Sequence, residues 1–287
     1  MNFHKMHGLG NDFVVVAADR LPDDPCGLAQ AVCDRHFGVG ADGLVFVLPS
    51  ERADVSMRIF NADGSEAEQC GNAIRCVGKF AFEQGLVSRA ALTVETRAGV
   101  QRIWLDVSDG RVGAVKVDMG PPVLEGPKIP VAVDRAPVVD HPVTVDGRTF
   151  AVTAVSMGNP HAVVFVDDAP TFPVTEWGPK LEAHPLFPQR TNVEFVSVRR
   201  PDEVDMRVWE RGVGPTLACG TGACATVVAG ALTGRTARAA RVHLAGGTLH
   251  IEWDEGTGHV FMTGPAHTVF TGTWLAENAM RAIRRYV

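Results

Sequence analysis

The chain has 287 residues, 46% of them hydrophobic and 21% charged, with a formal net charge of −6. That length suits two domains of ordinary size, each able to bury its own core. The acidic balance argues against nucleic acid as a partner, and no run of about 18 apolar residues is present to span a bilayer. The opening Met1-Asn2-Phe3-His4-Lys5-Met6-His7 carries no charged-then-apolar leader pattern, so export is not expected. Short β-branched runs bounded by Gly, Asp or Asn predict strands at 13–16, 43–47, 55–60 and 92–96. Helices are predicted at 26–36 and 72–84. The stretch 121–142 holds Pro121, Pro122, Pro127, Pro130, Pro137 and Pro142, which suits a connector or an edge strand, and a domain boundary is expected just before it. Strands follow at 162–166, 193–198, 204–209 and 249–253, with a helix at 222–231. Apolar residues at 275, 279, 282, 283 and 286 predict a closing amphipathic helix.

The strand and helix pattern is a duplication. Arg58-Ile59-Phe60-Asn61 lies 149 positions before Arg207-Val208-Trp209-Glu210, and Cys70-Gly71-Asn72-Ala73 stands 149 before Cys219-Gly220-Thr221-Gly222. Gly43-Leu44-Val45-Phe46-Val47 matches Asn192-Val193-Glu194-Phe195-Val196 at the same shift. Further out the match drifts by one, as a loop deletion would cause: Gly10-Asn11-Asp12-Phe13 pairs with Gly158-Asn159-Pro160-His161. Two such halves joined face to face would bring equivalent points together. One thiol on each side of a substrate is the chemistry that arrangement suits.

Six cysteines at 26, 33, 70, 76, 219 and 224 are too few for a disulfide scaffold and are expected as reduced thiols in the cytoplasm. Cys26, Cys33, Cys76 and Cys224 read as small buried hydrophobes. Cys70 and Cys219 each precede Gly at a predicted helix start, where free backbone N–H groups and the helix dipole lower a thiol pKa. A zinc pair wants two to four intervening residues, and Cys70…Cys76 and Cys219…Cys224 have five and four. No metal is expected, and no Cys-x-x-Cys redox pair is present. Gly38-Val39-Gly40-Ala41-Asp42-Gly43 fits the dinucleotide pattern but has a helix before it and a strand after it, the reverse of what that site needs. Asn11, Asn61, Asn159 and Asn192 recur beside strand ends around the cysteines, with His161 and Glu210-Arg211 in the same set. They read as the wall of a polar pocket.

At these residues the chain resembles the diaminopimelate epimerases. The resemblance rests on His7-Gly8-Leu9-Gly10-Asn11-Asp12-Phe13, Phe60-Asn61-Ala62-Asp63-Gly64-Ser65, Cys70-Gly71-Asn72, Ser156-Met157-Gly158-Asn159-Pro160-His161, Glu210-Arg211-Gly212 and Ala218-Cys219-Gly220-Thr221-Gly222. It implies an α/β (α+β) fold of two pseudo-symmetric domains, 1–117 plus 266–287 and 118–265, each a strand-rich, barrel-like sheet around a central helix. It also implies a cofactor-independent epimerisation of LL-2,6-diaminopimelate to meso-diaminopimelate for lysine and peptidoglycan synthesis, with the active site in the cleft between the domains. By family position Cys70 and Cys219 are the acid/base pair, and His161 and Glu210 support them. Gly71-Asn72 and Gly220-Thr221 present helix amides to a carboxylate, and Asn11, Asn61, Asn159, Asn192, Glu210 and Arg211 bind the rest of the substrate. A homodimer is implied, with Phe270 where the family has an interface tyrosine. Gly43 stands where some members have a substrate-contacting glutamine, and the resemblance is silent on 273–287. Two alternatives remain at this point: a proline or hydroxyproline racemase of the same superfamily, and a non-catalytic relative that binds an amino acid.

Overall fold

The computed structural model describes residues 1–275. The closing helix expected from residues 275–286 falls almost wholly outside them. The chain divides into two compact units, Met1–Val117 with the chain from Gly264, and Asp118–Thr263. None of the helices among the described residues is long and apolar enough to cross a membrane.

The first unit contains β1 (Asn2–Gly8), β2 (Asn11–Ala17), α1 (Pro25–Cys33), β3 (Gly43–Leu48), β4 (Val55–Asn61), β5 (Glu66–Ala67), α2 (Gly71–Glu83), β6 (Ala91–Thr96), β7 (Gly99–Ser108) and β8 (Arg111–Asp118). A last strand, His267–Thr273, returns to pair antiparallel with β1. The β1–β2 turn holds Leu9 and Gly10 at φ 57° and 84°, the pair of positive values that a tight two-residue hairpin turn demands. β2 and β3 run parallel, as do β4 and β6. β3 is a continuous buried apolar run because α1 covers one of its faces and α2 the other. α2 touches β1, β2, β3, β4, β6 and β7, so the sheet wraps around it.

The second unit repeats this order with β9 (Val138–Val145), β10 (Arg148–Ser156), β11 (Pro160–Phe165), α3 (Val174–Glu182), β12 (Asn192–Arg200), β13 (Glu203–Glu210), β14 (Gly214–Pro215), α4 (Gly220–Leu232), β15 (Ala239–Leu244), β16 (Gly247–Trp253) and β17 (Val260–Gly264). β11 runs parallel to β12 and β13 to β15, matching the two parallel pairs of the first unit. α4 touches β10 to β13, β15 and β16. Enclosed in this way, it is built from Gly, Ala, Thr, Cys and Val with a closing Leu, and its polar residues are confined to threonine. The fold class expected from the sequence is the one observed.

Two elements differ from expectation. The first helix ends at Cys33 rather than at 36, because the Asp34 carboxylate accepts the N–H groups of His36 and Phe37 and closes a turn there. The proline-rich stretch runs, in line with the edge strand expected there, into Val138–Val145, which among the described residues pairs with β10 and tolerates Pro142. The helix α3 was not among the elements expected, and it carries Gly178 and Pro179 inside it. It persists because it packs on β12 and β13, with Gly178 so close against the Trp209 ring that a Cβ there would sit 2.5 Å from it.

Candidate active site

Cys70 and Cys219 are the N-cap residues of α2 and α4, with extended backbones of φ −150°, ψ 118° and φ −125°, ψ 109°. The first amides of each helix point out of its start beside the sulfur, and the Gly222 N–H bears on the Cys219 sulfur. All six cysteines are thiols. Cys76 and Cys224 lie buried in the helices' packing as expected, and burial pushes the Cys76 thiol up to about 12. Cys26 corrects an expectation: it is exposed, because it occupies the second position of α1 on the solvent side.

In the first unit the Cys70 thiol donates to Asn11 Oδ1 at 3.8 Å, and Asn72 Nδ2 donates to the same oxygen at 3.1 Å. Asn11 Nδ2 in turn donates to Asp42 at 2.8 Å. Arg75, fully buried one turn along α2, donates to Asn72 Oδ1 and to the Gly71 carbonyl, both at 2.8 Å. These bonds set the first turn behind Cys70. Asn61 lies at the end of β4 and donates to Ser65 at 3.0 Å, so it is turned into its own loop. Gly43 faces Asn61 across β3 and β4, and a Cβ there would come 3.0 Å from the Phe60 carbonyl. Outside the cap, Asp12 bridges Lys5 and Arg35; burial alone would raise its carboxyl, but the two cations win and hold it at about 2.

In the second unit, strand alternation does the placing. β11 and β12 pair His161 with Asn192 and Val163 with Glu194, and β12 and β13 pair Glu194 with Val208. His161, Asn192, Glu194 and Glu210 therefore share one face, the face toward α4. His161 Nδ1 is 2.7 Å from Glu194 Oε1, and Nε2 is 3.0 Å from Asn159 Oδ1. Asn192 donates to the Pro160 carbonyl and accepts the Arg211 N–H, at 2.8 and 2.9 Å. The Arg211 guanidinium reaches the Gln189 carbonyl at 3.2 Å. Thr216 donates to the Glu210 carboxylate. The Cys219 sulfur lies 3.5 Å from the Thr221 hydroxyl.

Glu210 is raised above the usual carboxylate range, first by burial and then by the neighbouring Glu194. The expectation that a helix N-terminus lowers the Cys219 thiol is overturned. Burial comes first, the Glu210 and Glu194 charges add to it, and together they outweigh the Thr221 hydroxyl and the Gly222 N–H, so this thiol is pushed well up. Glu194 itself was not singled out from the sequence. Its signal was a break in the duplication, since the matching position is Val45 in an apolar strand.

Among the described residues, one acid, one thiol and one imidazole thus converge, with ligand atoms of His161, Glu194 and Cys219 all within 4.8 Å of one another. That donor set is also a metal-binding type, but both His161 nitrogens already face oxygen acceptors. The arrangement is a hydrogen-bonded pair of acid and imidazole beside a thiol.

Residues 3–125 and 153–269 match the family model described as diaminopimelate epimerase. The chain belongs to the diaminopimelate epimerase family. Relatives named diaminopimelate epimerase include one from Moorella thermoacetica, 58% identical over 95% of this chain and 98% of its own. Another, from Methanococcus maripaludis, is 50% identical over 95% of this chain and 99% of its own. Among solved structures, a probable proline racemase from Agrobacterium radiobacter superposes with a TM-score of 0.71 at 17% identity, over 96% of this chain and 93% of that one. A hydroxyproline epimerase from Agrobacterium vitis gives 0.66 at 19%, over 95% and 91%. These distant likenesses speak for the fold; the epimerase family membership rests on the closer relatives.

Proposed function

We propose that this chain interconverts LL- and meso-diaminopimelate without a cofactor, using Cys70 and Cys219 as one acid/base pair. Membership of the epimerase family supports the substrate, and one observation supports the chemistry: both cysteines are the N-cap residues of helices, α2 and α4. An α-proton between a carboxylate and an amine is a poor acid, so negative charge must be stabilised as it leaves. Amides of Gly71-Asn72 and Gly220-Thr221 offer fixed dipoles for the substrate carboxylate, already oriented and with no solvent to reorganise. Inversion needs a base on one face of the carbon and an acid on the other, hence one thiolate and one thiol at any moment. The two titrate together and share apparent pKa values.

His161 and Glu210 support the thiols. Asn11, Asn61, Asn159 and Asn192 bind the amino-acid end and its chain, and Arg211 takes the distal carboxylate in bidentate fashion. A racemase acting on proline has no distal carboxylate for Arg211 to meet, which favours the longer substrate. We place the enzyme in the cytoplasm, in the synthesis of lysine and peptidoglycan precursors. A homodimer is part of the same reading, with Phe270, 47% exposed on the returning strand, as a contact residue.

The test is incubation of the reduced protein with LL-diaminopimelate in D2O, following the α-proton by NMR. Exchange at one α-carbon with appearance of the meso isomer is expected. Exchange with proline but not with diaminopimelate would move the chain to the racemases, and silence with both would leave a binding protein.

A further inference from the structure

Glu194 is fully buried in the middle of β12, between Val193 and Phe195, and no residue of the duplicated strand prepares for it. One carboxylate oxygen takes the His161 contact; the other, Oε2, is buried and has no donor among the described residues. A buried acceptor without a donor is costly, and such groups persist where they serve a purpose. The same carboxylate presses on the first turn of α4. A Cβ on Gly222 would stand 2.6 Å from Glu194 Oε1 and 3.2 Å from the Cys219 sulfur, so only glycine leaves room for both. The matching residue of the first unit is Ala73, where Val45 asks for no such room.

We propose that Glu194 is a positioning residue for the epimerisation: its carboxylate, seated against α4, keeps the proton on Cys219 between turnovers, so that Cys219 is the acid of the resting pair. This rests on the two-cysteine reading above. When Cys70 takes the α-proton and Cys219 gives its own to the carbanion, the Cys219 sulfur becomes a thiolate facing Glu194 and Glu210; that repulsion favours its reprotonation from water, while Cys70 releases to water the proton it took, and the resting pair is restored. The charged and titratable groups facing the sulfur within this unit are Glu194 on β12, Glu210 after Trp209 on β13, His161 on β11 and the α4 amides. Thr221 adds a hydroxyl. Of the two acids, Glu194 is the one whose carboxylate lies against Gly222 in the first turn of α4.

The test is Glu194→Gln, which keeps the shape and the acceptor for His161 while removing the charge. Alkylation of Cys219 by iodoacetamide, quantified by mass spectrometry of its peptide, is measured across pH beside kcat/KM. Loss of a neighbouring negative charge should raise the labelling rate of Cys219 about threefold or more near pH 8. The alkaline limb of kcat/KM, where the acid is lost, should move to lower pH. Glu194→Asp keeps the charge one methylene further off and should fall between the two. A uniform drop in rate across pH, with wild-type labelling in both variants, overturns the proposal. If the Gln variant does not fold, the Asp variant decides: labelling above wild type supports the proposal, and labelling at the wild-type rate overturns it. Wild-type protein that labels as described yet exchanges no α-proton of diaminopimelate would remove the substrate assignment and leave the hold on Cys219 standing.

Discussion

The two units share a strand order and a helix cap, and they surround their thiols with opposite chemistry. Around Cys70 stand two asparagines, with the buried guanidinium of Arg75 one turn further along the helix. Around Cys219 stand two glutamates, a histidine and a threonine. The replacements are aligned: Val45 and Glu194, Asn61 and Glu210, Phe13 and His161, Arg75 and Cys224 occupy matching positions of the repeat. A duplicated scaffold can thus conserve geometry while polarising its two halves. The helix N-terminus is common to both; what distinguishes the thiols comes from strand side chains facing the cap.

The largest break in that comparison is removal of either sulfur. Cys70→Ala and Cys219→Ala should each lower epimerisation by about 10²–10⁴-fold, the usual worth of a positioned proton-transfer group. Conversion followed by chiral chromatography checks it, and an active single variant would end the two-thiol reading. Next comes exchange of the packing that makes room for Glu194. Gly222→Ala forces a Cβ into the carboxylate and should cost about 1–3 kcal/mol of stability by overpacking, besides activity. Glu194→Val with Gly222→Ala copies the first unit, so thermal melting should find the double variant more stable than the sum of the singles.

The duplication, the sheet-rich class and the two helix starts were all readable, because repeated motifs and Cys-Gly steps are local signals. What was not readable depended on partners distant in sequence. Nothing in Gly222 says that the carboxylate of Glu194 will lie against it, and nothing in Cys219 says that three strands will bury it among acids. The helix α3 contradicts its own prolines because packing on β12 and β13 outweighs propensity. The antiparallel match of His267–Thr273 with β1 spans nearly the whole chain and leaves no trace in local pattern.

A smaller effect probes the polar network behind Cys70. Asp12, held at about 2 by Arg35 and Lys5, has a folded pKa below its unfolded one. Its stabilisation is therefore present above about pH 4 and lost as pH falls through about 2. With Arg35 half exposed to solvent, Asp12→Asn should cost about 1–2 kcal/mol at neutral pH, discounted for screening. Denaturant unfolding at pH 7 and at pH 2 measures it. The gap between variant and wild type should close at the lower pH, and a gap that persists there would mean that packing rather than charge is what Asp12 supplies.

The smallest effect concerns the second unit's other acid. Burial raises Glu210, and the Thr216 hydroxyl opposes that rise by donating to the carboxylate. Thr216→Val removes the donor and keeps the volume, so the protonated form of Glu210 gains further and the acid limb of kcat/KM should move to higher pH. Glu194→Gln moves the alkaline limb to lower pH, because it acts on the thiol. The two variants therefore squeeze the activity profile from opposite sides, although both lie on the same face of the same unit. A Thr216→Val profile that shifts on its alkaline side would show that Glu210 acts on Cys219 only as a charge, in parallel with Glu194. A shift on the acid side alone would give it a protonation requirement of its own, which the first unit, with Asn61 in that place, cannot have.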